Sequence, residues 1–177
     1  MATLVLTAIG DERPGLVAEL SAVVTAHEGN WLESHMARLA GKFAGVVLVD
    51  VPDLRVPALT EALTGLGATG LTVTTAMSEE PAEAEGHLVA VHLVGQDRPG
   101  IVREITAALA ELGATIDEIL TFTQPAPMGD GMLFEADAAV LLPPGVAWTE
   151  AQTKLESIAA ELMVDLDIAD DDGIGAG

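Results

Sequence analysis

Apolar positions along the chain follow two alternating spacings. Thr3 to Ile9 is a β-rich run, and so is His87 to Val94. Each run is followed by a stretch with apolar residues at i, i+4, i+7 and i+8, the spacing of one helix face. In the first stretch these are Leu16, Leu20, Val23 and Val24. In the second they are Ile101, Ile105, Ala108 and Leu109, with Leu112 beyond. The strands are expected to stop at Gly10 and Gly95, and Pro14 and Pro99 suit a first helical turn, where a missing N–H costs nothing. Gly29 and Gly113 are read as helix ends.

The pattern then turns back to strands, at Asn30 to Ala37 and Phe43 to Val51, and again at Thr115 to Thr123 and Leu133 to Leu142. Pro52 and Pro143 close these segments. A second helix follows in each half, through Leu59, Leu63 and Leu66, and through Leu155, Ile158, Ala159 and Leu162. Leu71 to Ala76 and Val164 to Ile168 are the last strands.

The two halves are copies of one unit. Residues 10–22 read G-D-E-R-P-G-L-V-A-E-L-S-A and residues 95–107 read G-Q-D-R-P-G-I-V-R-E-I-T-A, an offset of 85 from Gly10 to Gly95. Seven of these thirteen positions are identical, across many residue types, so low complexity does not explain the match. A period this long indicates duplicated domains rather than a solenoid. The expected division is 1–77, an acidic linker S-E-E-P-A-E-A-E-G over 78–86, 87–169, and a frayed tail over 170–177. The order β-α-β-β-α-β in each copy is the ferredoxin-like split motif, an α+β fold. Two helices should cover one face of a four-stranded antiparallel sheet, and the twin domain is the obvious cover for the other face.

Composition narrows what the two units do. Seven Lys and Arg against 28 Asp and Glu give a net charge of −21, which opposes direct contact with phosphate and so disfavours nucleic acid. The chain has no cysteine, which excludes a disulfide scaffold, a thiolate metal site and a cysteine nucleophile. Aromatic residues are only 3 %, with no tyrosine, so the core must rest on Ala, Val, Leu and Ile. No leader or membrane-spanning run is visible, and a cytoplasmic protein is the expectation. No nucleophile elbow, phosphate loop or dinucleotide fingerprint is present. The four histidines lack compact ligand spacing, so neither a metal nor another cofactor is expected. His27 reads as a structural histidine, Trp31 as a packing residue, and His87 and His92 point to opposite faces of their strand.

Four features together resemble a tandem ACT-domain protein, nearest to the glycine cleavage system transcriptional repressor group. They are G-x-[DE]-R-P-G between the first strand and helix in both copies, E-G-N-W-L-E-S at Glu28 to Ser34, Gly41 with Phe43, and Q-P-A-P-M-G-D-G-x-x-F at Gln124 to Phe134. The resemblance spans about residues 3–169. It implies two ferredoxin-like ACT domains that sense a small amino acid, glycine or serine being candidates, at an interface near the first loop.

Under that implication the free N–H groups of Gly15, Leu16 and Val17, and of Gly100, Ile101 and Val102, can hold a carboxylate. Asp11, Glu12 or Asp97 can receive an ammonium, and Asn30 offers an amide where the second copy has Thr115. Pro14 and Pro99 shape the two turns. Arg13 and Arg98 fit a brace on the loop better than a ligand contact. The expected function is non-catalytic regulation, with transcription repressed indirectly through a DNA-binding protein partner and the chain itself a homodimer. The alternative is an assembly module that docks another domain without a ligand.

Overall fold

A computed structural model describes residues 1–78, 85–127, 129 and 131–170, apart from the side chains of residues 162 and 170. The expected linker falls mostly, and the tail almost wholly, outside them, as do Met128 and Asp130 of the Gln124 to Phe134 stretch. The chain divides into two compact units, Met1–Ala82 and Glu83–Gly177.

The first unit runs β1 (Ala2–Asp11), α1 (Leu16–Ala26), β2 (Asn30–Leu39), β3 (Lys42–Val51), α2 (Val56–Gly65) and β4 (Leu71–Met77). The second runs β5 (His87–Gln96), α3 (Ile101–Glu111), β6 (Thr115–Pro125), β7 (Met132–Leu142), α4 (Trp148–Leu162) and β8 (Val164–Asp170). Each unit is βαββαβ. The strand orders are β2-β3-β1-β4 and β6-β7-β5-β8, with every pairing antiparallel. Both β2 and β6 carry a register shift at the same place in the repeat, between Trp31 and Glu33 and between Ile116 and Glu118. No helix of the described residues is long and apolar enough to cross a membrane.

Alternation along the strands places one set of side chains against the helices. In the first unit Leu4, Leu6, Val47, Val49 and Leu71 meet Leu16, Leu20, Val24, Leu59 and Leu63. In the second, Val89, Val91, Leu93, Val140 and Leu142 meet Ile101, Ile105, Leu109 and Leu155. Each such side chain contributes about 1.5–3 kcal/mol when fully buried. Aliphatic residues dominate both cores, but Phe134 is also buried. Ala151 also joins the core from α4, one turn before Leu155 on the same face. No polar or charged residue is buried among the described residues.

Three boundary expectations are corrected. Gly10 and Gly95 do not stop their strands; each lies inside one, pairing with Phe43 and Leu71 and with Phe134 and Val164. A Cβ on Gly10 would lie 2.7 Å from the Gly70 carbonyl oxygen, so close approach is the reason for glycine there. Pro14 and Pro99 are not in the first helical turn. They precede the N-caps Gly15 and Gly100, whose φ values of 90° and 93° with ψ near zero are those of the third residue of a type II turn. The Ile101 N–H donates to the Arg98 carbonyl at 3.4 Å, the bond that closes such a turn.

The third correction concerns the end of α1. The left-handed residue is Glu28 (φ 61°), not Gly29; its repeat partner Gly113 has φ 70°. In both copies the next N–H reaches back five residues, Gly29 to Val24 at 3.0 Å and Ala114 to Leu109 at 3.1 Å, as in a Schellman cap.

Candidate functional site

The turn after β1 and the start of α1 form one wall of a cleft in the first unit. Arg38 and Phe43, facing each other across the β2–β3 hairpin, form the other. The hairpin is tight because its two turn residues, Ala40 and Gly41, both have positive φ (48° and 77°), as a type I′ turn requires. Gly41 also accepts the Glu12 N–H at 2.9 Å, tying the first loop to the hairpin tip.

The cleft has a volume of about 570 Å³. Pro14, Leu16, Val17, Ala18 and Phe43 make its apolar surface, and Glu12, Arg13 and Arg38 its charged edge, with Gly15 between them. The first helical bond runs from the Glu19 N–H to the Gly15 carbonyl at 2.8 Å. The N–H groups of the preceding turn, at Leu16, Val17 and Ala18, therefore have no acceptor within the helix and favour an anion.

Charge is distributed unevenly. Three of the seven Lys and Arg of this acidic chain, Arg13, Arg38 and Lys42, stand at this end of the first unit. Each has an acidic partner: Arg13 with Glu19, Arg38 with Glu12, and Lys42 with Asp11. Arg13 also donates to the Thr69 carbonyl at 3.3 Å, and the Thr69 hydroxyl donates to Glu19 at 2.5 Å. These bonds, the one from Thr69 first and the one from Arg13 next, hold the Glu19 carboxyl below its ordinary pKa. In the second unit Arg98 holds Glu104 low in the same way. Both arginines thus have the geometry of loop braces.

The structure brings Glu12, Arg13, Pro14, Gly15, Leu16 and Val17 together at the cleft, with Asp11 beside them on Lys42. It does not bring Asn30 there. Asn30 faces Asp50, seven residues along β3 from Phe43, or about 23 Å at ~3.3 Å per residue. Thr115 is displaced likewise, opposite Leu141, whereas Gln96 beside the second loop faces Leu133. Asp97, Arg98, Pro99, Gly100, Ile101 and Val102 form the equivalent turn, but the Ile101 N–H is already engaged by Arg98.

Sequence reasoning missed Arg38 as a site residue and used Phe43 only as a family marker. A two-residue A-G turn between Leu39 and Lys42 would have paired them, but alanine is unusual at that left-handed position and hides the signal.

The histidines lie elsewhere. His27 Nδ1 is 2.9 Å from the Val23 carbonyl oxygen. His35 meets Glu33, and His92 meets Asp137. His87 stacks edge-on to Trp148 at 6.3 Å. Trp31 packs against the first unit's own core. Among the described residues no group of His, Asp and Glu could hold a metal ion.

The ACT domain family matches residues 2–77 and again residues 87–168. Among solved structures, a protein of unknown function from Galdieria sulphuraria is 31 % identical, covering 96 % of this chain and 98 % of that one with a TM-score of 0.79. A candidate glycine cleavage system transcriptional repressor is 19 % identical, covering 95 % of this chain and 96 % of that one with a TM-score of 0.72; at that identity it shows a shared fold. No curated protein matches the chain.

Proposed function

The chain belongs to the ACT domain family in both its halves, and from that premise we propose that it is a non-catalytic regulator whose first unit binds a free amino acid in the cleft beside Gly15. The observation that carries this reading is the pairing of Glu12 with Arg38 at the edge of that cleft. An amino acid carries one carboxylate and one ammonium, and the cleft edge carries one partner for each.

Binding would act by linkage. A ligand that prefers one arrangement of the protein changes its affinity for a protein partner by the same factor that the partner changes ligand affinity. We propose that this partner is a DNA-binding regulator and that control of transcription is indirect. The fold shared with a candidate glycine cleavage repressor and the net charge of −21 support this. A homodimer is part of the same reading. Asn30 and Thr115 can contribute to a site only when another domain presents them, because each lies at the far end of its own sheet.

Calorimetric titration with a panel of free amino acids tests the proposal. Saturable binding that weakens in Arg38→Met is expected. Silence across the panel would overturn it in favour of a docking module without a ligand.

A further inference from the structure

Resting on the reading that the first unit's cleft takes an amino acid, we propose that the ligand has an apolar side chain and enters by exchange of the Glu12–Arg38 ion pair, one molecule per chain. The pair is well exposed, at 42 % for Glu12 and 66 % for Arg38. An ion pair in that setting is weakly held and opens readily. Once open, the guanidinium takes the ligand carboxylate, in a geometry that allows two parallel bonds, and the Glu12 carboxylate takes the ammonium. Arg13 does not compete for this role, since its guanidinium is bonded to Glu19 and to the Thr69 carbonyl.

The rest of the cleft sets the side chain. A volume of about 570 Å³ lies within the range of small-molecule pockets and far exceeds what a bare amino-acid backbone fills. Pro14, Leu16, Val17 and Phe43 line the remainder. Leu16 is held in the core and Phe43 packs against it, so this wall is fixed in place. Glycine or serine would leave it facing water. Leucine, methionine or phenylalanine would cover it, each buried methylene adding about fourfold in affinity.

The second unit lacks the exchange. The residue facing Phe134, as Arg38 faces Phe43, is Thr123, which carries no charge. This predicts one site per chain despite two copies of the turn.

The test is calorimetry on the full chain with leucine, methionine, phenylalanine, glycine and serine. Two probes each lack one half of the zwitterion: 3-methylbutylamine and 4-methylpentanoate. Expected are one apolar amino acid bound per chain, glycine at least about tenfold weaker, both half-ligands weaker than leucine, and a loss of about tenfold or more in Arg38→Met with unchanged thermal unfolding. Glycine or serine binding as tightly as leucine would overturn the inference while leaving the amino-acid reading intact. A half-ligand matching leucine, or an unaltered affinity in Arg38→Met, would overturn the inference and also remove this cleft edge as the place where an amino acid binds. Absence of binding by every amino acid would overturn both.

Discussion

The guanidinium of Arg98 closes on the carboxylate of Glu104 with two bonds, Nη1 to Oε1 at 3.1 Å and Nη2 to Oε2 at 2.5 Å. Arg13 and Glu19 repeat the pairing in the first unit, again six residues apart. The turn that begins each helix is thereby tied to the helix it begins.

That tie makes stability depend on acid. Glu104 and Glu19 have carboxyls held below their ordinary pKa, Glu104 chiefly by Arg98 and Glu19 by Thr69 and then Arg13. A carboxyl depressed in the folded state contributes stability that is present above its unfolded value of about 4.3 and is lost as pH falls through the lower folded value. Resistance of the native chain to urea should therefore fall as pH drops below about 4.3. The double variant Glu19→Gln, Glu104→Gln should show a shallower loss over the same window; an identical profile would remove the two pairs as its cause.

Gly15→Ala should lower stability by about 1–2 kcal/mol. Gly15 has φ 90°, and a Cβ there would meet nothing within 4 Å, so the whole penalty is backbone strain. Denaturant midpoints measure it. A midpoint equal to that of the native chain would show that the turn relaxes freely.

Glu28→Gly should have the opposite sign, raising stability by about 0.5–1 kcal/mol. Glu28 occupies the left-handed cap position filled by glycine in the other copy, and its carboxylate is bonded to Arg55 at the surface. An exposed pair of that kind contributes too little to offset the strain. A fall in melting temperature would mean that the Arg55 contact outweighs it.

Leu63→Ala should cost about 2–5 kcal/mol, because Leu63 is fully buried on α2. Leu54→Ala, at a residue 94 % exposed, should stay within about 0.5 kcal/mol of the native chain. Paired chemical denaturation curves distinguish the two. Equal losses would contradict the assignment of Leu63 to the core.

The order of elements, the duplication and the helix faces were legible in the amino-acid sequence, because each rests on spacing within one segment. Leu16, Leu20 and Val24 had to share a face once the helix formed, and they are buried together. The Arg-Pro-Gly turn was legible as a turn, since proline and glycine restrict and free the backbone wherever they stand. Its type was encoded too, since proline second and glycine third is the type II pattern, but the same proline also suits a first helical turn, and only the left-handed φ of Gly15 and Gly100 decides between the two.

The site itself depended on tertiary structure. Arg38 is distant from Gly15 along the chain and reaches the cleft only through the register of β2 on β3, which the Ala40–Gly41 turn sets. Asn30 is a candidate only through the family resemblance, and strand direction carries it to the opposite end of its own sheet from the loop. The amino-acid sequence alone determined which residues are apolar, which are charged and which bend the chain. Which of them meet was decided by antiparallel pairing, because reversing a strand exchanges its near and far ends without altering its pattern.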